Sequence, residues 1–253
     1  MSPVGDLLRE WRGTRRMSQL ELSVQAGVSA RHLSFVETGR SRPTREMILR
    51  LAEELDVPLR SRNELLLAGG FAPAYAEREL GGPQLATVLA ARRDVLAGHE
   101  PYPAVLLDRH WTMVDANAAA GLFLSGAAPE LVEPPINVLR LSLHPDGIAP
   151  RIRNLPEWRT HVLHRLDRQA VATADPVLRS LHVELSALPG GSSNVRPDGI
   201  VVPLRFTADD GTELSFFSTT SVLGTPLDVT LAELAIEAFL PADPATAAAL
   251  RSR

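Results

Sequence analysis

Residues 17–43, MSQLELSVQAGVSARHLSFVETGRSRP, constrain the fold of this chain more than any other stretch. Ser18 with Glu21 three residues on forms a capping box, so a helix begins there. Leu22 and Ala26 give one apolar stripe, and Met17, Leu20 and Val24 give a second beside it. Gly27 is the left-handed residue expected to end the helix, Val28 plugs the turn, and Ser29 caps a second helix that runs to about Thr38. Leu33, Val36 and a flank of Phe35 face inward; Ala30, Arg31, His32 and Ser34 face outward. Gly39 ends the helix, and Arg40, Ser41 and Arg42 precede Pro43. Helix, tight turn, helix and basic loop is the form of a helix-turn-helix, whose second helix enters the DNA major groove. The alternative is an ordinary helical hairpin, against which the caps, turn glycine and basic loop coincide.

The outward residue types suit that geometry. Gln19, at a helix start, can bond a phosphate or an adenine edge, and Arg31 can reach guanine with two parallel bonds. Arg40 and Arg42 fit phosphate contacts, which give affinity without sequence information. Residues 4–70 resemble the XRE family of bacterial regulators, whose domain is similar to that of the phage repressors and Cro. The resemblance rests on Leu7, Leu8, Arg12, Ser18, Gln19, Leu22, Ala26, Gly27, Val28, Ser29, Leu33, Glu37, Gly39, Pro43, Leu51, Ala52 and Leu55. Ser23 departs from the family's usual Ala, a small change. The resemblance implies an all-α domain of five helices, the last three at 29–38, 44–55 and about 61–68, which binds operators as a homodimer. The DNA-facing residues it implies are Gln19, Ser29, Ala30, Arg31, His32, Ser34, Arg40 and Arg42. Glu37 reads as structural, because an acid facing phosphate would repel it.

Composition narrows the class further. The chain has 253 residues, enough for one large domain or two small ones. With no Cys there is no disulfide framework, thiolate zinc site or Cys nucleophile. All 26 basic residues are Arg, so a phosphate-binding P-loop, a Schiff-base enzyme and a kinase each lack their Lys. No run approaches a membrane span, and the N-terminus has acids where a signal peptide has an apolar core, so a cytoplasmic protein without membrane contact is expected. The net charge is −4, but residues 1–70 carry 11 Arg against 9 acids, a net of +2. So weak an electrostatic drive implies two half-sites, about 34–36 Å apart on a palindromic double-stranded operator.

Gly69-Gly70-Phe71-Ala72-Pro73 closes the first region, giving a DNA-binding domain at 1–72. Residues 73–98 read as a helical connector interrupted at Gly81-Gly82-Pro83, with Leu85, Val88, Leu89 and Leu96 on one stripe. That stripe either docks on the next domain or serves as a coupling or dimerising helix. Over 99–253 the pattern changes. Short strands are expected at 104–107 and 111–115, a short helix after Asn117, another at 137–143, and two longer helices at 156–172 and 176–188. Ile200 to Phe206 and Glu213 to Val222 form a hairpin around Asp209-Asp210-Gly211, and Gly224-Thr225-Pro226 turns the chain again. Residues 228–240 fit helix or strand, and the hairpin context favours a strand. The order predicts an antiparallel sheet with helices on one face, and an α+β chain overall.

This second region resembles the ligand-binding domain of MmyB-like transcription regulators, which is PAS-like. The residues that carry the likeness include Tyr102-Pro103, Asp108, Trp111, Ala116-Asn117, Asn137, Leu139-Arg140, His144-Pro145-Asp146-Gly147, Pro203-Leu204 and Asp210-Gly211. Leu214-Ser215-Phe216-Phe217-Ser218-Thr219, Gly224-Thr225-Pro226, Asp228-Val229-Thr230, Leu234 and Phe239-Leu240-Pro241-Ala242-Asp243 follow in order. The family implies a small apolar ligand, with fatty acids the natural candidates; beyond a bound fatty acid as ligand, no cofactor is expected.

A pocket between sheet and helices needs apolar lining with a few polar anchors. The lining candidates are Trp111, Phe123, Leu143, Trp158, Phe216 and Phe217, each of which, taken singly, reads as plain core before it reads as ligand lining. Phe216 and Phe217 are adjacent on a strand and face opposite sides, so at most one lines a given face. Arg140, His144, His161 and Arg205 are the candidate anchors for a carboxylate. Glu157, His161 and His164 share a helical face at metal-compatible spacing, but an amphipathic helix with two ordinary histidines explains them, and no metal is expected. His144-Pro145-Asp146-Gly147 reads as a turn before it reads as a catalytic pair, and Ser192-Ser193 lacks the glycine spacing of a nucleophile elbow. The expectation is a sequence-specific transcription regulator, not an enzyme, with the connector at 74–97 as its movable element. The rival reading makes the second domain a dimerisation or protein-interaction module without a ligand. A helix-turn-helix fused to an enzyme is a third.

Overall fold

The computed structural model describes residues 3–193, 201–222 and 226–253. The chain divides into two compact units. The first holds residues up to Arg78 together with two later segments, Val171–Ala174 and 226–232.

Five helices build the first unit before Arg78: α1 (Pro3–Thr14), α2 (Gln19–Gln25), α3 (Ala30–Glu37), α4 (Arg45–Glu54) and α5 (Leu59–Ala68). The caps expected from sequence are present. The Ser18 hydroxyl accepts from the Glu21 amide at 3.1 Å while Glu21 accepts from the Ser18 amide at 2.7 Å. Ser29 caps α3 by accepting from the His32 amide, and Gly27 adopts φ 62° in the turn between them. Leu8, Leu22, Leu33, Val36, Ile48, Leu51, Leu55, Leu65 and Leu66 are fully buried and form one core. Gly5 lets α1 approach α3 backbone to backbone: a Cβ there would lie 2.4 Å from the Val36 carbonyl oxygen.

Two expectations for this region fail. Of the two stripes on α2, Leu22 and Ala26 are buried, but Leu20 and Val24 are 66% and 72% exposed. A short helix packs one face only, and its neighbours lie on the Leu22 side. Residues 74–78 are also not helical. The Asn63 side chain accepts from the Ala74 and Tyr75 amides and donates to the Tyr75 carbonyl at 2.8 Å, and Ala76 pairs with Asp228 as an isolated β-bridge. Those bonds consume the backbone groups that a helix would need. Helix begins only with a 3₁₀ turn at Pro83–Leu85 and α6 (Ala86–Ala97).

The second unit contains α6, β1 (Ala104–Leu107), β2 (Met113–Ala116), α7 (Gly121–Leu124), α8 (Pro129–Val132), α9 (Val138–Leu143), α10 (Leu155–Thr173, up to Ala170), α11 (Pro176–Ala187), β3 (Leu204–Thr207) and β4 (Glu213–Val222). After the short α12 (Val229–Ala232), which belongs to the first unit, come β5 (Ala235–Pro241) and α13 (Pro244–Arg251). The five strands form one antiparallel sheet in the order β2-β1-β5-β4-β3. The chain is therefore α+β, with one all-α unit and one unit built on an antiparallel sheet with helices. Residues 228–240 are short helix, then strand, where a strand alone was favoured; Asp228 starts the helix by accepting from the Leu231 amide. The second expected strand starts at Met113 and not at Trp111, because Trp111 sits in the preceding turn at φ 67°. Ile200 and the Gly224-Thr225 part of the expected turn lie outside the described residues.

The core of this unit lies between the sheet and α7, α9, α10 and α11. Phe123 meets Phe206, Phe216 and Phe239 edge-on, with ring centres 4.9–5.7 Å apart. Asn117 and Asn137 cap the helical segments after them, and Asp175 caps α11 while accepting from His110 at 2.9 Å.

Candidate functional sites

In the first unit the eight residues expected to face DNA lie on α3, the N-terminus of α2 and the loop after Gly39. Ser29, Arg31, His32, Arg40 and Arg42 are exposed, whereas Gln19, Ala30 and Ser34 are half-buried. Two features were not anticipated. Phe35 is a platform for two guanidinium groups, Arg31 at 5.3 Å and Arg40 at 6.0 Å from its ring centre. The Phe in an outward-facing helix was the only sign of that contact in the sequence. Gln19 is not free either. Its Nε2 donates to Glu37 Oε2 at 2.7 Å.

Glu37 holds this corner together. It is fully buried, and Arg12 grips its carboxylate with two bonds, from Nε at 2.8 Å and Nη2 at 2.9 Å. Arg9 donates to its main-chain carbonyl. Burial by itself would raise the Glu37 pKa; the hydrogen bonds from Arg12 and Gln19 and the charges of Arg12 and Arg9 outweigh it and hold the group below the ordinary carboxylate range. Glu37 is thus structural, as the sequence implied.

The second unit contains an apolar cavity. Its empty space is about 710 Å³ counting the open mouth. Val105 and Leu107 of β1, Phe123 of α7, Leu139 and Leu141 of α9, Val162 of α10 and Phe239 of β5 are among its walls. Asp108 builds one corner: its carboxylate accepts from the His110 and Thr112 amides, both at 2.8 Å, and closes a tight turn. The turn forces Trp111 into the left-handed region, where a bulky side chain is strained. The surroundings compensate, since the indole nitrogen donates to Gln169 at 2.8 Å and the Arg165 guanidinium lies 4.5 Å from the ring centre. Trp158 forms another wall and donates to Ser142 Oγ at 3.0 Å.

Polar groups gather at one place on the lining: His161 and Arg165, one turn apart on α10, and Glu237 on β5. Arg165 and Glu237 form an ion pair of 2.7 Å. Burial, then the nearby Arg165 charge, lowers the His161 pKa, so the imidazole is neutral near pH 7.

Of the ten ligand candidates, Trp111, Phe123, Trp158 and His161 line the cavity. The other six lie off it. Leu143 and Phe216 are sealed in the core. Phe217 is on the opposite face of β4 and 38% exposed, as adjacent strand residues must alternate. Arg140 is turned outward into a two-bond pair with Glu184, at 2.6 and 2.8 Å. His144 accepts from the Asp146 amide within its own turn. Arg205 is an exposed β3 residue. Sequence reasoning missed Arg165 and Glu237. A lone acid inside the apolar strand run Ala235-Ile236-Glu237-Ala238-Phe239 was the available signal. Among the described residues no three His, Asp or Glu side chains converge as metal ligands, and no helix is long and apolar enough to cross a membrane.

A helix-turn-helix unit with an exposed row of Arg, joined to a sheet-and-helix unit with an apolar cavity, is the make-up of a transcription regulator with a ligand-binding domain. Comparison with known proteins agrees. The description "MmyB-like transcription regulator ligand binding domain" matches residues 88–252, and "Helix-turn-helix" matches residues 8–61. The chain belongs to the MmyB-like transcription regulators. Over 78 residues it is 37% identical to the uncharacterized HTH-type transcriptional regulator RghRB of Bacillus subtilis (strain 168), covering 30% of this chain and 54% of that protein. It thus spans about half the length of that relative. A solved RNA-binding Light-Oxygen-Voltage receptor aligns with 100% of this chain and 65% of its own, at 15% identity and a TM-score of 0.27, too low to indicate a shared fold.

Proposed function

We propose that this chain is a one-component regulator that binds an operator through its first unit and a small apolar molecule in the cavity of its second. The cavity carries the reading: apolar walls, four aromatic side chains and one polar cluster are what an apolar effector needs. The strand order β2-β1-β5-β4-β3, with helices between β2 and β3, supports a PAS-like sensor. The lining suits an acyl or alkyl chain, of which fatty acids are one source. At the DNA, Arg31 reads base edges while Arg40 and Arg42 hold phosphates. The low net charge of the first unit supports a homodimer on a palindromic operator, because two half-sites double the contacts. The ligand acts by binding one DNA-affinity state better than the other, since equal binding would shift nothing.

Native mass spectrometry of the purified chain, followed by denaturing extraction, tests the reading. The expected result is an apolar small molecule lost on unfolding, whose removal changes operator affinity in a gel-shift assay. An empty chain that binds no alkyl-chain compound would overturn it.

A further inference from the structure

Taking the cavity as the ligand site proposed above, we infer that its ligand is uncharged and ends in a hydroxyl that meets His161 and Glu237, and that an ionised carboxylate is rejected. Arg165 is the cation that a fatty acid would seek, but it is already committed. Its Nη1 donates to Glu237 Oε1 at 2.7 Å and its Nη2 to Thr220 Oγ1 at 2.7 Å. Its face covers Trp111. The cluster is therefore neutral as a whole, one cation against one anion beside an uncharged imidazole. Arg140, His144 and Arg205, the other cationic or titratable candidates, lie off the cavity.

Hydrogen-bonding capacity is what the cluster does leave open. Glu237 is 4% exposed, and its Oε2 has no hydrogen-bond partner and is shut off from solvent. A buried carboxylate oxygen in that state calls for a donor. A neutral His161 offers one donor and one acceptor, and its ring makes no hydrogen bond to another described residue, only a tilted contact with Trp158 at 5.6 Å. A hydroxyl is the smallest group that both donates and accepts, and it brings no charge into an apolar site. A carboxylate would place a second negative charge beside Glu237 with no unpaired cation to balance it, and would lose its hydration as well. A ligand ammonium would have Arg165 as a like-charged neighbour.

The test is isothermal titration of the full chain near neutral pH with decan-1-ol and with decanoate, which share their chain length. The expected result is roughly tenfold or tighter binding of the alcohol, given the cost of adjacent like charges. Glu237→Gln frees the Arg165 charge, so the order should invert. Equal or tighter binding of decanoate by the unaltered protein overturns the inference while leaving the cavity as a ligand site. Binding of neither compound overturns the ligand-site reading along with it. The comparison in the unaltered protein decides even where Glu237→Gln does not fold.

Discussion

Glu37→Gln is the sharpest test of how the first unit is built. The carboxylate is fully buried and receives two bonds from Arg12 and one from Gln19, at 2.7–2.9 Å. The amide keeps the shape but has only one acceptor oxygen, and its NH2 group faces donors. Arg12, whose side chain is 16% exposed, loses its counter-charge. Breaking a buried pair while leaving one charge behind costs about 3–5 kcal/mol. At ~4–8 °C per kcal/mol for a unit of this size, the unfolding midpoint of the first unit should fall by roughly 12 °C or more. Acid gives an independent signature. Because the folded pKa of Glu37 is depressed, its stabilisation is present above the ordinary Glu value of about 4.3 and is lost as pH falls through the lower folded value. The unaltered protein should therefore lose stability in acid more steeply than the variant. Scanning calorimetry at several pH values measures both effects. An unchanged midpoint, or the same acid sensitivity in both proteins, refutes the account of Glu37 as a charged clamp.

Arg31→Ala should relax sequence preference and cost about 1–3 kcal/mol of operator binding, while Arg42→Ala should weaken all sequences alike and flatten the salt dependence. Gel shifts on matched and scrambled operators compare them, and identical behaviour refutes the division between reading and positioning. Phe123→Ala removes three edge-on ring contacts and a cavity wall, so urea denaturation should show a loss of ~3–5 kcal/mol. A loss below about 1 kcal/mol would mean that the aromatic cluster is not a packed core.

The first unit was legible in the sequence because its signals are local. Ser18, Glu21, Gly27 and Ser29 act within a turn of their own positions, and a reader can apply capping chemistry without knowing the fold. The stretch 74–78 misled because what holds it is Asn63, eleven residues or more upstream. The cavity was half legible for the same reason. Trp111, Trp158 and Phe123 announce themselves by size, whereas Arg165 and Glu237 become a site only when α10 meets β5, 72 positions along the chain. Arg140 looked like an anchor by residue type, yet the helix turned it toward Glu184.

Gly5 has a consequence for how such a regulator diversifies. Between α1 and α3 the backbones touch where any Cβ would collide with the Val36 carbonyl. The angle of the reading helix is therefore set by main chain against main chain, not by side chains that can be exchanged for others of similar bulk. On the proposed reading of DNA, descendants of this protein would acquire new operators by changing Arg31 or His32, one exposed letter at a time, while the frame that presents them stays still. A methyl at position 5 would do the reverse: it would alter none of those letters and shift the page on which all of them are written.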